Sequence, residues 1–137
     1  MSHTTAKAPV RPRARRLGAA TVLGALLSAL LAGCGGGEDV DYFGAIALNP
    51  QTRAASIVAN HQSQGEANSA ALNLCTGSCS VVLTFGNGMC GALARSTLGT
   101  VGYASNSSKS QAEANAMSQC RSSGGSGCEV LLSMCNG

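Results

Sequence analysis

The chain has 137 residues, with nine Lys and Arg, six Asp and Glu and a formal net charge of +3. Five of the nine basic residues precede Cys34, so the segment from Cys34 onward carries four basic and six acidic residues, a formal net charge of −2. This segment has four aromatic residues, and it lacks the basic stripe and the stacking platform of nucleic-acid-binding domains. The composition therefore excludes nucleic acid as an expected partner.

The amino-terminal segment has the order of charge and hydropathy that is typical of a secretory signal. Basic residues between Lys7 and Arg16 precede an apolar run from Leu17 to Leu31. The run has about 15 residues, fewer than the ~20 that a helix needs to span a bilayer, so a permanent transmembrane anchor is the weaker interpretation. We therefore expect residues 1–33 to be a signal peptide.

The end of this segment, Leu-Ala-Gly-Cys at residues 31–34, resembles a bacterial lipobox. It predicts a lipoprotein in which Cys34 carries the diacylglyceryl and palmitate chains and holds the protein on a membrane of the cell envelope. The alternative is an ordinary cleaved signal followed by an unmodified cysteine. Residue 35 is Gly and not Asp, which favours the periplasmic face of the outer membrane in a bacterium with two membranes.

Residues 34–41 are rich in Gly and acidic residues and show no apolar periodicity, so we expect a lipidated cysteine followed by a flexible linker. The folded part is then residues 42–137, a length suited to one small domain. Two segments repeat within it. Residues 44–47, Gly-Ala-Ile-Ala, correspond to residues 91–94, and residues 79–88 correspond to 128–137. The chain therefore predicts two units, at about 42–88 and 89–137.

Each unit has the pattern strand, strand, helix, strand. In the first unit, strands are predicted at 43–48, 55–60 and 80–85, with a turn at Asn49-Pro50; in the second they are predicted at 91–95, 100–105 and 129–134, with a turn at Gly99. Apolar residues at helical spacing end in Cys75 in one unit and in Cys120 in the other. We expect one α+β domain in which the two units pack together, because a single unit is too small to bury a core.

The two helices begin at comparable signals, Ser63 with Glu66 and Ser108 with Gln111, each typical of a capping box. This alignment superposes the apolar faces and the terminal cysteines. A rival alignment pairs Ser-Gln-Gly-Glu-Ala-Asn with Ser-Gln-Ala-Glu-Ala-Asn, shifted by two residues. It matches more letters but moves the apolar faces out of register, so we prefer the first.

With Cys34 assigned to lipid, an even set of six cysteines remains, as expected for disulfides in an oxidising compartment. Six cysteines allow 15 connectivities. The repeat favours Cys75 with Cys79 and Cys120 with Cys128, which leaves Cys90 with Cys135. A zinc site is the rival interpretation, disfavoured by the absence of a nearby histidine and by export.

Residues that suggest catalysis are few. His61 is the one histidine after Cys34, and it follows a predicted strand, so a surface or turn position is favoured. Glu66, Glu113 and Glu129 show no pattern beyond their presence. Residues 86–91 fit Gly-x-Gly-x-x-Gly, but a strand and not a helix is predicted to follow, which argues against a dinucleotide site. No cofactor and no metal are expected.

Taken together, the segment from Tyr42 to Ala47, the two Ala-rich helices ending in cysteine, and the run from Cys128 to Asn136 resemble the family called domain of unknown function 4189. The resemblance covers Tyr42 to Gly137. It implies a compact, disulfide-bonded repeat fold in small exported bacterial proteins, and it brings no activity and no catalytic residues. The low aromatic content departs from the family pattern and argues against an aromatic-lined ligand surface.

Three functions are compatible with these features. The leading hypothesis is a non-catalytic module that binds a periplasmic protein, as an inhibitor or immunity protein does. The second is a structural envelope lipoprotein, and the third is an enzyme acting on cell-wall glycans through Glu113 or Glu129. The absence of a catalytic set and the near-neutral charge favour the first.

Overall fold

The structure, a computed structural model, describes residues 40–137. The predicted signal peptide, Cys34 and most of the predicted linker lie outside the described residues. The strands are β1 (Phe43–Leu48), β2 (Ala55–His61), β3 (Ser80–Phe85), β4 (Cys90–Arg95), β5 (Val101–Asn106) and β6 (Glu129–Cys135). The helices are α1 (Gln64–Leu74) and α2 (Lys109–Ser122). The order is strand, strand, helix, strand, twice, which confirms the predicted α+β repeat.

Each unit forms its own antiparallel three-stranded sheet. Sheet A has the order β2-β1-β3 and sheet B the order β5-β4-β6, so the first strand of each unit is central in its sheet. The two central strands are the Gly-Ala-Ile-Ala and Gly-Ala-Leu-Ala segments, and both are buried along almost their whole length. A strand that is covered on both faces has to be apolar throughout, which explains why these two segments resemble each other most.

The buried residues form three clusters, and these define four layers. Ala45 and Ala47 of β1 contact the buried face of α1, and Ala92 and Ala94 of β4 contact the buried face of α2. Ile46 and Leu93, on the opposite faces of the same strands, meet in a third cluster between the sheets. The layers are therefore α1, sheet A, sheet B and α2, with both helices outside.

The helices confirm the alignment that keeps the apolar faces in register. Ala67 and Ala71 of α1, and Ala112 and Ala116 of α2, have no exposed surface. Small side chains on this face let each helix lie close to its sheet. The space between helix and sheet is then narrow enough for alanine to fill it. The rival alignment, shifted by two residues, would place other residues on these faces and is wrong.

One predicted capping box differs from the structure. Ser63 is the N-cap of α1, and its hydroxyl accepts a hydrogen bond of 3.2 Å from the backbone N–H of Glu66. Ser108 is the N-cap of α2, but its side chain makes no capping bond. The Ser108 hydroxyl instead lies 3.0 Å from the hydroxyl of Ser110. The Ser108 hydroxyl therefore pairs with a neighbouring side chain and not with a helix N–H group.

The layer between the sheets has one aromatic ring at its centre. Phe85 is 3% exposed and packs with Ile46 and Leu93. A Cβ atom at Gly44 would lie 2.2 Å from the Phe85 ring, and one at Gly91 would lie 2.5 Å from it. Gly44 and Gly91 are corresponding residues of the two units, so the ring occupies the space that both glycines leave open and joins one sheet to the other.

The second helix approaches its sheet more closely than the first. Ser56 in β2 donates a hydrogen bond from its hydroxyl to the carbonyl oxygen of Ala71 in α1. Gly102 has the corresponding place in β5, and a Cβ atom there would lie 2.2 Å from the carbonyl oxygen of Ala116 and 2.3 Å from the backbone nitrogen of Cys120. The absence of a side chain at Gly102 is therefore what allows α2 to contact β5 directly.

Three disulfides link the six cysteines of the domain. They join Cys75 to Cys79, Cys120 to Cys128 and Cys90 to Cys135, the same pairs that the repeat favours. The first two each connect the end of a helix to the start of the following strand. The third joins directly opposed residues of β4 and β6. The covalent links thus act within units, while the contact between units is made by side-chain packing.

Within residues 40–137, neither helix is long and apolar enough to cross a membrane.

The disulfides differ in how much of the chain they constrain, and this predicts different contributions to stability. The Cys90–Cys135 pair spans 45 residues and the Cys75–Cys79 pair spans four. Loop-closure entropy then predicts that replacing Cys90 and Cys135 by Ala lowers the free energy of unfolding by about 4 kcal/mol, against about 2 kcal/mol for the Cys75 and Cys79 pair. Guanidinium unfolding of the two double variants measures both values, and equal losses would contradict the entropic account.

The Gly102 contact gives a second stability prediction. Gly102→Ala should lower the free energy of unfolding by about 1–3 kcal/mol, because the new methyl group overlaps the backbone of α2. Gly65→Ala in α1 is the matched control, since no atom lies within 4 Å of a Cβ there and alanine is the better helix former. Thermal unfolding should show a loss for the first variant and no loss for the second. A tolerated Gly102→Ala would contradict the close helix approach.

Candidate binding site

The strands all run between two ends of the domain, and the ends differ in character. The chain reaches β1 at Phe43, which pairs with His61 of β2; we call this the Phe43 end. The opposite end carries the β1–β2 turn at residues 49–54 and the β4–β5 turn at residues 96–100; we call it the turn end. Six-residue strands separate the two ends by roughly 17–20 Å.

A cleft of about 510 Å³ opens at the turn end. The second unit supplies nine of its ten lining residues, and Arg53 of the first unit supplies the tenth. Its lining comes from the β1–β2 turn, the β4–β5 turn and the start of β6, with the residues Arg53, Arg95, Ser96, Thr97, Leu98, Gly99, Gly127, Glu129, Val130 and Leu131.

Two guanidinium groups belong to this cleft. Arg95 is the last residue of β4, and its Nη1 lies 3.4 Å from the backbone oxygen of Arg53, to which it donates a hydrogen bond. Arg53 lies in the β1–β2 turn, and its Cγ would be 3.5 Å from a Cβ atom at Gly99. These contacts bring the turns of the two units together. Half of the four Lys and Arg residues after Cys34 thus lie in one cleft.

Each helix-end disulfide loop positions the turn of its own unit. Asn49, which is 3% exposed, donates a hydrogen bond of 3.1 Å from Nδ2 to the carbonyl oxygen of Thr76, inside the 75–79 loop. In the second unit, Thr97 donates from its backbone N–H and from Oγ1 to the carbonyl oxygen of Ser126, inside the 120–128 loop. The disulfides therefore stabilise the loops that in turn hold the walls of the cleft.

The rim of the cleft is apolar and exposed. Leu98, at the tip of the β4–β5 turn, is 89% exposed, and Leu131 and Val130 of β6 are 41% and 36% exposed. Isolated exposed apolar residues are ordinary on protein surfaces, but here three of them surround two arginines. A surface that combines arginine with exposed aliphatic side chains has the composition of a protein-recognition surface.

Arg53 adopts a backbone conformation that residues other than glycine seldom adopt. Its φ is 63°, in the left-handed region, where a residue with a Cβ atom costs about 1–2 kcal/mol relative to the right-handed conformation. Its backbone N–H donates to the carbonyl oxygen of Asn49 across the turn. Glycine would adopt this conformation with less strain, so the turn itself does not account for the arginine at this position.

The residues singled out for catalysis do not converge. His61 pairs with Phe43 at the Phe43 end, whereas Glu129 is opposite Arg95 at the turn end. Glu66 lies in the first turn of α1, and Glu113 of α2 accepts a hydrogen bond of 2.6 Å from the hydroxyl of Ser133. Of these four side chains, the structure brings only Glu129 into the cleft.

The glycine-rich segment at residues 86–91 is a turn between the two units. It leads into β4, which begins at Cys90, so a strand and not a helix follows Gly88. Gly88 has a φ of 65°, as its turn requires. Residues 40–137 also contain no group of three or more His, Cys, Asp or Glu side chains with the arrangement of a metal site.

The cleft is not predicted in the sequence analysis above. Arg53 and Arg95 enter there only as charges, and the two turns only as breaks between strands. Arg53 lies in the first turn and Arg95 immediately before the second. The repeat, together with a basic residue in or beside each of the two corresponding turns, is the signal that could have indicated a shared site.

Comparison with known proteins agrees with the fold. No curated protein and no solved structure matches the chain. A family model described as Domain of unknown function (DUF4189) matches residues 43–135, which include both sheets, both helices and all three disulfides. The match covers well over half of the chain, and the protein therefore belongs to the DUF4189 family.

Proposed function

We propose that this protein is an envelope lipoprotein of the inhibitor or immunity type, a non-catalytic module that binds a periplasmic protein through the cleft at its turn end. The observation that carries the proposal is the combination of two arginines and three exposed aliphatic side chains in one cleft, which Arg53 of the first unit completes. Aliphatic contacts contribute affinity, and arginine contributes both charge and directional hydrogen bonds.

The place of the cleft suits a tethered protein. The chain enters the domain at Phe43, and the cleft lies at the opposite end of the strands. A lipid at Cys34 followed by a flexible linker would hold the domain by its Phe43 end, which leaves the turn end free for a partner. This arrangement would also separate recognition from anchoring, because the residues that line the cleft lie at the turn end.

The rigidity of the cleft supports binding over catalysis. Hydrogen bonds from Asn49 and Thr97 fix both turns to disulfide-closed loops, so the walls are ordered before a partner arrives. A preorganised surface loses less conformational entropy on association. The candidate acids and the histidine are dispersed over the domain and give no nucleophile, base and orienting group in one place.

Lipid anchoring has a direct test. Cys34→Ala should abolish acyl labelling by a palmitate analogue, because it removes the thiol that accepts the lipid. Residue 34 lies outside the matched family segment, residues 43–135, so the change should leave the fold of the domain intact. Mass spectrometry of the native protein should find a modified amino-terminal cysteine. An unmodified amino terminus at another residue would overturn this part of the proposal.

Partner binding at the cleft is tested by photo-crosslinking in living cells. A photoreactive amino acid at Leu98 should yield a discrete protein adduct that saturates with expression level, because this side chain projects from the cleft rim. The same amino acid at Asn115, on the exposed face of α2, is the control and should give no such adduct. Equal labelling from both positions, or none from Leu98, would contradict a specific partner at the cleft.

A further inference from the structure

Resting on the proposed function, we infer that the cleft recognises an extended, acidic segment of its protein partner, whose carboxylates pair with Arg53 and Arg95 while an aliphatic side chain packs against Leu98 and Leu131. The juxtaposition of two guanidinium groups and two exposed leucines in one open cleft is the basis of the inference.

Charge complementarity indicates that the segment bound in the cleft is acidic. Arg53 and Arg95 approach each other from different units, and their guanidinium groups present planar sets of donors that match carboxylate oxygens. The remaining two basic residues after Cys34, Lys109 and Arg121, lie on α2 and outside the cleft. The cleft thus brings together two of the four basic side chains of the described domain.

The cleft is open to solvent, which favours a protein segment over a small anion as its ligand. Pockets for small molecules enclose most of the ligand surface, whereas Arg53, Leu98, Glu129 and Leu131 are all exposed here. Solvent-exposed ion pairs alone are weak, so useful affinity also requires apolar contact. A segment that places an aliphatic side chain between its acidic residues uses both features of the surface at once.

Glu129 provides a prediction about the direction in which the affinity for an acidic segment should change. It is directly opposite Arg95 in the β4–β6 ladder and lines the same cleft, so its carboxylate competes with an incoming acidic group for the arginine. Removing this charge should therefore strengthen binding of an acidic segment. The enzyme hypothesis predicts the reverse, since there Glu129 is needed for activity.

The first experiment selects binders from a phage-displayed library of short random peptides, using the full chain as bait. The enriched peptides should carry at least two acidic residues flanking an aliphatic one. Enrichment of neutral or basic peptides, or no enrichment, would overturn the inference. The Leu98 adduct reports on the proposed function independently: if it persists without acidic enrichment, only the inference fails, whereas loss of both results removes the proposed function as well.

The second experiment measures the affinity of the most enriched peptide for variants of the full chain by fluorescence polarisation. Arg95→Gln and Arg53→Gly should each weaken binding about fivefold, the equivalent of one exposed ion pair. Glycine is chosen at residue 53 because the φ of 63° there suits it, so that this variant should melt no lower than the native chain. Glu129→Gln should tighten binding, and high salt should weaken it in the native chain.

Lys109→Gln and Arg121→Gln are the matched controls, because each removes the same charge from α2 while leaving the cleft unchanged. They should alter affinity by less than twofold. Losses as large as those at Arg53 and Arg95 would show that net charge alone drives binding and would overturn the inference. Arginine-dependent binding to phosphatidylglycerol vesicles without any peptide binding would assign the cleft to lipid and overturn it too.

Discussion

The contact of Phe85 with Gly44 and Gly91 is the constraint on which the rest of the structure depends. Each unit has one sheet with a helix on a single face, so its other face would expose Ile46 or Leu93 to water. Pairing the sheets buries both faces at once, and the ring of Phe85 fills the space over the two glycines. The corresponding residue of the second unit, Met134, is 41% exposed. One ring therefore serves both units, and the repeat is asymmetric at its centre.

At the Phe43 end, Asn136, which follows β6 of sheet B, binds the backbone of sheet A. Asn136, 3% exposed, donates from Nδ2 to the carbonyl oxygens of Phe85 and Gly86 and accepts at Oδ1 from the backbone N–H of Asn60. A residue near the carboxyl terminus thereby joins the end of β3 to the end of β2. Buried backbone groups need such partners, and one amide side chain satisfies three of them. At the turn end, a hydrogen bond from Arg95 to the backbone oxygen of Arg53 links the two units beside the cleft.

The repeat explains what could be predicted and what could not. Buried strands, helix faces and cysteine positions are periodic, so the sequence indicates them directly; β1 and β3 begin and end at the predicted residues. The capping bond predicted at Ser108 is absent from the structure. The Ser108 hydroxyl pairs with Ser110 instead, a local detail that no periodicity encodes. The cleft was missed because it depends on how the units stack. Arg53 and Arg95 are 42 positions apart, and only the packing of sheet A on sheet B brings them together.

Divergence between the units explains why the charged residues of the cleft have no charged counterparts in the first unit. Arg95 corresponds to Leu48, which is buried, and Glu129 corresponds to Ser80, so the first unit lacks the charges of the second. Arg53 lies in the longer of the two turns and reaches across to Gly99 of the shorter one. The positions shared by both units, the alanines, the helix-end cysteines and the central glycines, maintain the fold. The charged residues of the cleft differ between the units, and the second unit supplies most of a surface that Arg53 of the first completes.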